Sequence, residues 1–328
     1  MLNWALVGIG DISRKRVLAA LAAEPRSRLR AVVTTHPERA RQICAPYQVG
    51  RFYAALDEAL NDPEVQAVYV ATPVFLHAPQ SIASMRAGKH VLCEKPTALS
   101  YPQACRMAEV AEECGVRYGV AYYRRFYPKV LRAQRLMAEG ALGQVTLVEA
   151  CYHWWWAPED GHERHWFVEP HKSGGGPLPD VGSHRIDALN FLFGPPASVM
   201  AEAGNQVHRY GVEDSATVLM QYASGMRAVL DVRWNSRLVR DELRIIGSHA
   251  ELDMTPGNGP RLAFRAPGES WTEQLPPHPN LHYPMIENFV SAVLEGAPLV
   301  SSGRTALETD RVIAAAFESA RTGRRVCL

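Results

Sequence analysis

Trp4-Ala5-Leu6-Val7-Gly8-Ile9-Gly10-Asp11-Ile12-Ser13 is the stretch that decides the fold. Four apolar residues of strand character run into Gly-x-Gly-x-x-small, and Val17, Leu18 and Leu21 then follow at helical spacing. Between a strand and a helix this pattern reads as a dinucleotide-binding turn. One glycine permits the tight turn, and the second lets a pyrophosphate approach the backbone at the helix N-terminus. Gly8, Gly10, Asp11, Ile12 and Ser13 are the expected cofactor contacts. Ser13 stands where glycine or alanine is usual, and it is small enough for close packing.

Outward from that turn, apolar runs recur at Leu29–Val33, Val65–Val70, His90–Cys93 and Arg117–Val120. Helical segments such as Met107/Val110/Ala111/Cys114 separate them, and such alternation implies a parallel sheet with right-handed crossovers. Ala71-Thr72-Pro73 and Glu94-Lys95-Pro96 follow two of these runs. Proline stops each strand, and the crevice of an open α/β sheet lies at that carboxyl edge. A lone Glu-Lys-Pro is equally a surface turn with two solvated charges. In company with the glycine turn, Ala71, Thr72, Pro73, Glu94 and Lys95 become cofactor-site residues. His77 is either a further contact or a helix residue with a local hydrogen bond.

The second run ends in Val33-Thr34-Thr35-His36. NAD-selective folds place a carboxylate about 20 residues past the glycines, where it repels a 2′-phosphate. Here Thr34, Thr35 and His36 are hydrogen-bonding groups without that charge, and Arg39 follows one helical turn on. Arg14-Lys15-Arg16 crowd a helix start, where the macrodipole disfavours cations unless an anion lies near. The plainer account is that they reach solvent. The balance favours NADP over NAD, with both accepted.

After Ala121 the pattern changes, so the expected domains are 1–121 and 122–328, with the last helices able to pack back on the first. Tyr122-Tyr123-Arg124-Arg125-Phe126-Tyr127-Pro128 leads into a helical stretch, and Val145–Tyr152 is an extended run. Further runs at Ala216–Tyr222, Met226–Trp234, Glu242–Ile246 and Leu262–Arg265 suggest a large, mostly antiparallel sheet, with Ala223-Ser224-Gly225 as a hairpin connection. Helices follow near Tyr283–Leu294 and Ala306–Ala320. The helices of this half look too few to cover both sheet faces. An uncovered apolar face is expected to make a homodimer or homotetramer.

Before that sheet the chain reads Ser173-Gly174-Gly175-Gly176-Pro177, then Asp180-Val181-Gly182-Ser183-His184-Arg185-Ile186-Asp187. If helical, Asp180, His184 and Asp187 share one face. A carboxylate beside an imidazole raises its basicity and fixes its tautomer, as proton transfer needs. A capping aspartate and a solvated histidine fit the segment as well. In Trp154-Trp155-Trp156, with His153, Trp166 and Phe167, one or two rings line a pocket or all fill the core.

The bulk numbers exclude other classes. A chain of 328 residues with 35 basic and 34 acidic side chains, net charge +1, gives no electrostatic case for nucleic acid or membrane partners. No apolar stretch approaches the roughly 20 residues that span a bilayer, and Met1–Gly10, with no basic residue before the glycine turn, leads us to expect no signal peptide. Six cysteines show no Cys-x-x-Cys or zinc-finger spacing. No metal is expected, and free thiols suit a cytoplasmic protein.

Together the glycine turn, Ala71-Thr72-Pro73, the run from Ala87 to Pro96, the segment Gly174–Asp187 and Ser319-Ala320-Arg321-Thr322-Gly323-Arg324-Arg325-Val326 resemble the glucose-fructose oxidoreductase/inositol dehydrogenase (Gfo/Idh/MocA) family. The resemblance implies a Rossmann domain followed by an α/β domain whose open sheet forms subunit contacts. It implies hydride transfer between nicotinamide and a carbinol or carbonyl of a sugar, polyol or inositol-like small molecule. By the same resemblance Lys95 lies near the reacting oxygen, Asp180 and His184 are catalytic with His184 the proton donor or acceptor, and Asp187 matches a further acidic position. Tyr123, Arg124, Trp155 and Trp166 join Asp180 and His184 as candidate substrate contacts. Trp166-Phe167 replaces a Trp-Arg pair frequent in the family. The rival readings are a nucleotide-sensing regulator without turnover, which needs no proton relay, and an oxidoreductase of a diol-type non-sugar substrate.

Overall fold

The computed structural model describes all 328 residues, Met1–Leu328. The chain divides into two compact units: Met1–Tyr123 with His278–Leu307, and Arg124–Pro277 with Glu308–Leu328. The sequence suggests a break after Ala121 with the last helices able to pack back on the first domain; in the structure a C-terminal segment of 30 residues, His278–Leu307, clusters with the first unit.

In the first unit β1 (Leu2–Val7), β2 (Ser27–Val33), β3 (Arg51–Tyr53), β4 (Ala67–Val70), β5 (His90–Cys93) and β6 (Tyr118–Val120) form one parallel sheet in the order β3-β2-β1-β4-β5-β6. Helices α1 (Leu18–Ala23), α2 (Pro37–Cys44), α3 (Leu56–Leu60), α4 (His77–Arg86) and α5 (Tyr101–Glu113) connect the strands. The strands are near-continuous apolar runs because both faces are covered. Trp4, Leu6, Val68, Tyr69 and Val91 are fully buried. Strand β3 escapes the sequence reading because three residues, Arg51-Phe52-Tyr53, carry too short a pattern. A π-turn over Ser13–Val17 precedes α1, which a strict 3.6-residue period does not anticipate.

The second unit opens with α6 (Pro128–Ala138), followed by β7 (Val145–Trp155) and the short α7 (Pro170–Ser173). A π-turn over Leu178–Gly182 leads into α8 (Ser183–Phe193). Then come β8 (Ser198–Gly204), β9 (Ser215–Gln221), β10 (Arg227–Arg233), β11 (Asn235–Gly247), β12 (Glu251–Asp253), β13 (Arg261–Ala266) and β14 (Glu269–Gln274). Helix α9 (Tyr283–Leu294) belongs to the first unit, α10 (Gly303–Thr322) begins there and ends in the second, and β15 (Val326–Cys327) closes the chain. The nine-stranded sheet runs β14-β13-β12-β11-β7-β10-β9-β8-β15. Every pairing in it is antiparallel except β10 with β7. The Ala223-Ser224-Gly225 connection turns through Gly225 at φ +87°, where Gly225 N–H donates to Tyr222 O at 3.0 Å.

Alternation along these strands sorts the two faces. Ala216, Val218, Met220, Ala228, Leu230 and Val232 are buried on one. The other bears Thr217, Leu219, Gln221, Arg227, Val229, Asp231 and Arg233. This corrects the expected apolar patch. The uncovered face is largely polar, and Asp231 there binds His153 Nε2 at 2.7 Å, Thr217 Oγ1 at 2.5 Å and Arg233 Nε at 2.5 Å.

Candidate active site

The first unit presents its loops at the carboxyl ends of the strands. Gly8 N–H donates to Val33 O, Ala71 N–H to Val7 O and Glu94 N–H to Val70 O, all at 2.8–3.0 Å, so the ladder carries straight into the three loops. Gly8 has φ +94°, and a Cβ on it would lie 2.8 Å from Ala71 O; conformation and close approach both require glycine. A Cβ on Gly10 would meet nothing within 4 Å, so the backbone there is open to a bulky group. Ser13 is buried, and its hydroxyl donates to Gly8 O at 2.8 Å, tying the turn to the helix. A closed Gly8, an open Gly10 and a helix start fit the pyrophosphate of a dinucleotide.

Thr34, Thr35, His36 and Arg39 stand at the half-buried to exposed end of β2 and the start of α2. Thr34 Oγ1 accepts the His36 N–H at 3.1 Å, which shapes this corner. The basic cluster nearby has local partners. Lys15 pairs with Asp11 at 2.9 Å, Arg14 Nε donates to Gly10 O at 3.3 Å, and the Arg16 guanidinium lies 5.3 Å from the Tyr123 ring centre.

His77 resolves to the local role. It is 1% exposed and lies between the two proline loops, with Nε2 2.8 Å from Thr72 O and Nδ1 2.9 Å from Pro96 O, the neutral ring donating to one of the two carbonyls. Burial pushes its pKa below the usual range, against the pull of both carbonyls. Thr72 Oγ1 donates to Gln80 Oε1 at 2.7 Å.

The structure turns the Glu94 carboxylate inward. Its Oε1 accepts from Tyr69 Oη at 2.8 Å and from His282 Nε2 at 3.0 Å, and His282 is fully buried. Burial raises the Glu94 pKa, but His282, Tyr69 and Lys95 overcome this and hold it below the ordinary value. Lys95 is left half-buried at the strand end. Tyr123 rests on His282 with ring centres 4.9 Å apart. Tyr69 and His282 are absent from the sequence reading. Tyr69 looks like one more apolar strand residue, and His282 is 188 positions from its partner.

In the second unit the three glycines set the approach to α8. Gly174 sits at φ +79° and Gly175 at φ +152°, and a Cβ on Gly176 would lie 2.0 Å from Glu213 O. Asp180 stands in the π-turn, half-buried; Ser183 Oγ donates to its carbonyl at 3.0 Å, and His184 follows at 5% exposure. Both positions lie on adjacent turns at the start of one helix.

Asp187 belongs to the scaffold. It is fully buried and forms an ion pair with Arg125 at 2.5 Å, and Thr309 Oγ1 donates to it at 3.4 Å. Burial outweighs the arginine and leaves its pKa raised. Arg185 points to Asp241 and covers the Tyr152 ring at 5.3 Å. Tyr152, unnoticed in the sequence, thus faces α8, and Asp180 is among the charges acting on its hydroxyl.

Strand alternation puts Trp154 on the Tyr152 side of β7 and Trp155 on the other. Trp155 packs there against His208 at 4.6 Å and Arg237 at 4.1 Å. Trp154 stacks on Trp156 at 5.2 Å, next to Phe167, Tyr210 and buried Trp234. Trp166 packs on Phe167 at 4.1 Å, and the Arg164 guanidinium lies 4.4 Å from the Phe167 ring. Arg124 is buried beside Tyr127. Trp154 and Trp156 stack on one another, and Trp155 lies on the opposite face of β7 from Trp154.

No group of His, Cys, Asp and Glu is arranged to hold a metal ion, and no helix is long and apolar enough to cross a membrane. A family model described as an oxidoreductase family with an NAD-binding Rossmann fold matches residues 2–122. The GFO/IDH/MocA C-terminal domain model matches residues 130–253. The 1,5-anhydro-D-fructose reductase of Ensifer adhaerens is 30% identical over 301 residues, 89% of this chain and 88% of its own. The trans-1,2-dihydrobenzene-1,2-diol dehydrogenase of Bos taurus is 26% identical over 289 residues, 80% of this chain and 83% of its own. The solved aldose-aldose oxidoreductase from Caulobacter crescentus, complexed with glycerol, superposes with a TM-score of 0.91 at 27% identity, covering 100% of this chain and 99% of that one. The chain belongs to the Gfo/Idh/MocA family of NAD-binding oxidoreductases, enzymes that transfer hydride between nicotinamide and a carbinol or carbonyl.

Proposed function

We propose that this enzyme acts on a ring or chain hydroxyl of a sugar or polyol, with His184 as proton donor or acceptor. The observation that carries the reading is the placement of Asp180 and His184 on adjacent turns at the start of one helix. In this reading the carboxylate on the neighbouring turn orients the imidazole for proton transfer. The nicotinamide, when bound, accepts or donates the hydride. In the oxidation direction His184 takes the hydroxyl proton, and the Lys95 ammonium stabilises negative charge developing on the oxygen. Asp180 keeps the imidazole in its working tautomer. The names of the relatives, a reductase of an anhydro sugar, a diol dehydrogenase and an aldose oxidoreductase, support a polyhydroxylated substrate.

NADP(H) is the favoured cofactor, with Thr34, Thr35, His36 and Arg39 at the ribose 2′ position. Six free cysteines suit a reducing cytoplasm. The nine-stranded sheet is the proposed contact of a homodimer or homotetramer. The test is a screen of sugars, polyols and inositols with NAD and NADP, following reduced nicotinamide. The reading expects turnover of at least one polyhydroxylated compound. Turnover of only aromatic or aliphatic diols would move the substrate class, and tight cofactor binding without turnover of any compound would favour a sensor.

A further inference from the structure

Glu213 lies in the connection before β9, 9% exposed, and plays no part in the mechanism above. Its two carboxylate oxygens divide between two backbone amides at the start of the α8 turn. Oε2 accepts from Gly176 N–H at 2.8 Å, and Oε1 from Leu178 N–H at 3.1 Å. Each carboxyl oxygen is thus committed to its own backbone donor, so the side chain fixes two amides two residues apart at once. The turn has no freedom to shift away. Gly176 is pressed against the Glu213 backbone, and Gly175 is walled by Pro179 and Phe317, whose atoms would lie 2.7 Å and 2.9 Å from a Cβ there. The Asp180 N–H donates in turn to Gly176 O at 3.2 Å, so the residue that Glu213 grips is the one that sets the Asp180 backbone. The neighbouring Asp214 takes no part. It binds the amides of Gln206, Val207 and His208, at 2.8–3.1 Å.

We propose that Glu213 is a positioning residue for the proton-transfer pair, fixing the mutual placement of Asp180 and His184 through its grip on Gly176 and Leu178. The proposal rests on the reading that Asp180 and His184 serve proton transfer. A glutamine at this position accepts one amide but turns its own NH2 toward the other, so Glu213→Gln loosens the turn with little change in volume. Glu213→Asp keeps the carboxyl group and withdraws it by one methylene.

The test follows the His184 ring by proton–carbon NMR in the full-length protein, its resonance identified by its loss in His184→Gln. The imidazole titration midpoint depends on how the carboxylate beside it is placed. In Glu213→Gln it is expected to move by about half a pH unit or more, with a smaller move in Glu213→Asp. NADPH affinity by fluorescence titration stays within about twofold, the cofactor turn lying in the other unit. An unmoved midpoint in a folded variant overturns the proposal and leaves Glu213 a structural cap. If Glu213→Gln does not fold, Glu213→Asp is read by the same criterion. The turnover rate of His184→Ala tests the underlying reading separately, because the NMR result does not depend on it.

Discussion

At Glu213 burial pushes the carboxyl up to about 7, further than the Gly176 and Leu178 amides draw it down, and the Asp214 charge adds to the rise. The folded chain therefore keeps a proton that the unfolded chain loses at the ordinary value of 4.5. Stability falls as pH climbs from about 4.5 to about 7 and levels off above. Glu213→Gln removes this contribution. Urea midpoints of the two proteins are expected to differ more at about pH 5 than at about pH 7, in favour of the parent at the lower pH. Identical pH slopes would contradict the assignment. Residue-scale roles divide sharply in legibility. Lys95, Asp180 and His184 announce themselves because their motifs are local. Glu213, His282 and Tyr69 do not, because each meets its partners only after the chain has travelled 25 positions or more.

Helix α8 carries a buried ion pair, Arg125–Asp187, among its contacts. Removing one partner of a buried pair leaves an uncompensated charge. Arg125→Leu is therefore expected to cost about 3–5 kcal/mol in chemical unfolding, and Arg125→Leu with Asp187→Leu is expected to recover most of it. Equal losses in the single and double variants would contradict a pairing role. The end of β2 makes its own prediction. With Thr34, Thr35, His36 and Arg39 in place of a carboxylate, NADPH is expected to bind more tightly than NADH in a fluorescence titration. NADH binding at least tenfold tighter would sink that argument. Elements were legible where the apolar pattern was long, as in α9, whose bounds the helical spacing anticipates. They were missed where three residues suffice, as in β3 and β12, or where a π-turn slips the period, as before α1 and α8.

For the whole molecule the two sheets explain the order of motifs along the chain. The parallel sheet gathers the loops after β1, β4 and β5 at one edge, which is why three motifs beginning at Gly8, Ala71 and Glu94 read as one site. The nine-stranded sheet leaves a polar face whose one strongly satisfied centre is Asp231, not the apolar patch the strand composition suggests. Association through it is expected to be salt-sensitive. Sedimentation should show a dimer or tetramer at micromolar concentration in low salt, and a monomer there would remove the sheet as an interface. The central claim, that this oxidoreductase moves its proton through His184, is tested most directly by one ratio. Steady-state turnover of the parent is compared with that of His184→Ala on a polyhydroxylated substrate from the screen, at saturating cofactor. The account predicts a fall of about 100-fold or more with cofactor affinity nearly unchanged, and a variant running at the parental rate would contradict it.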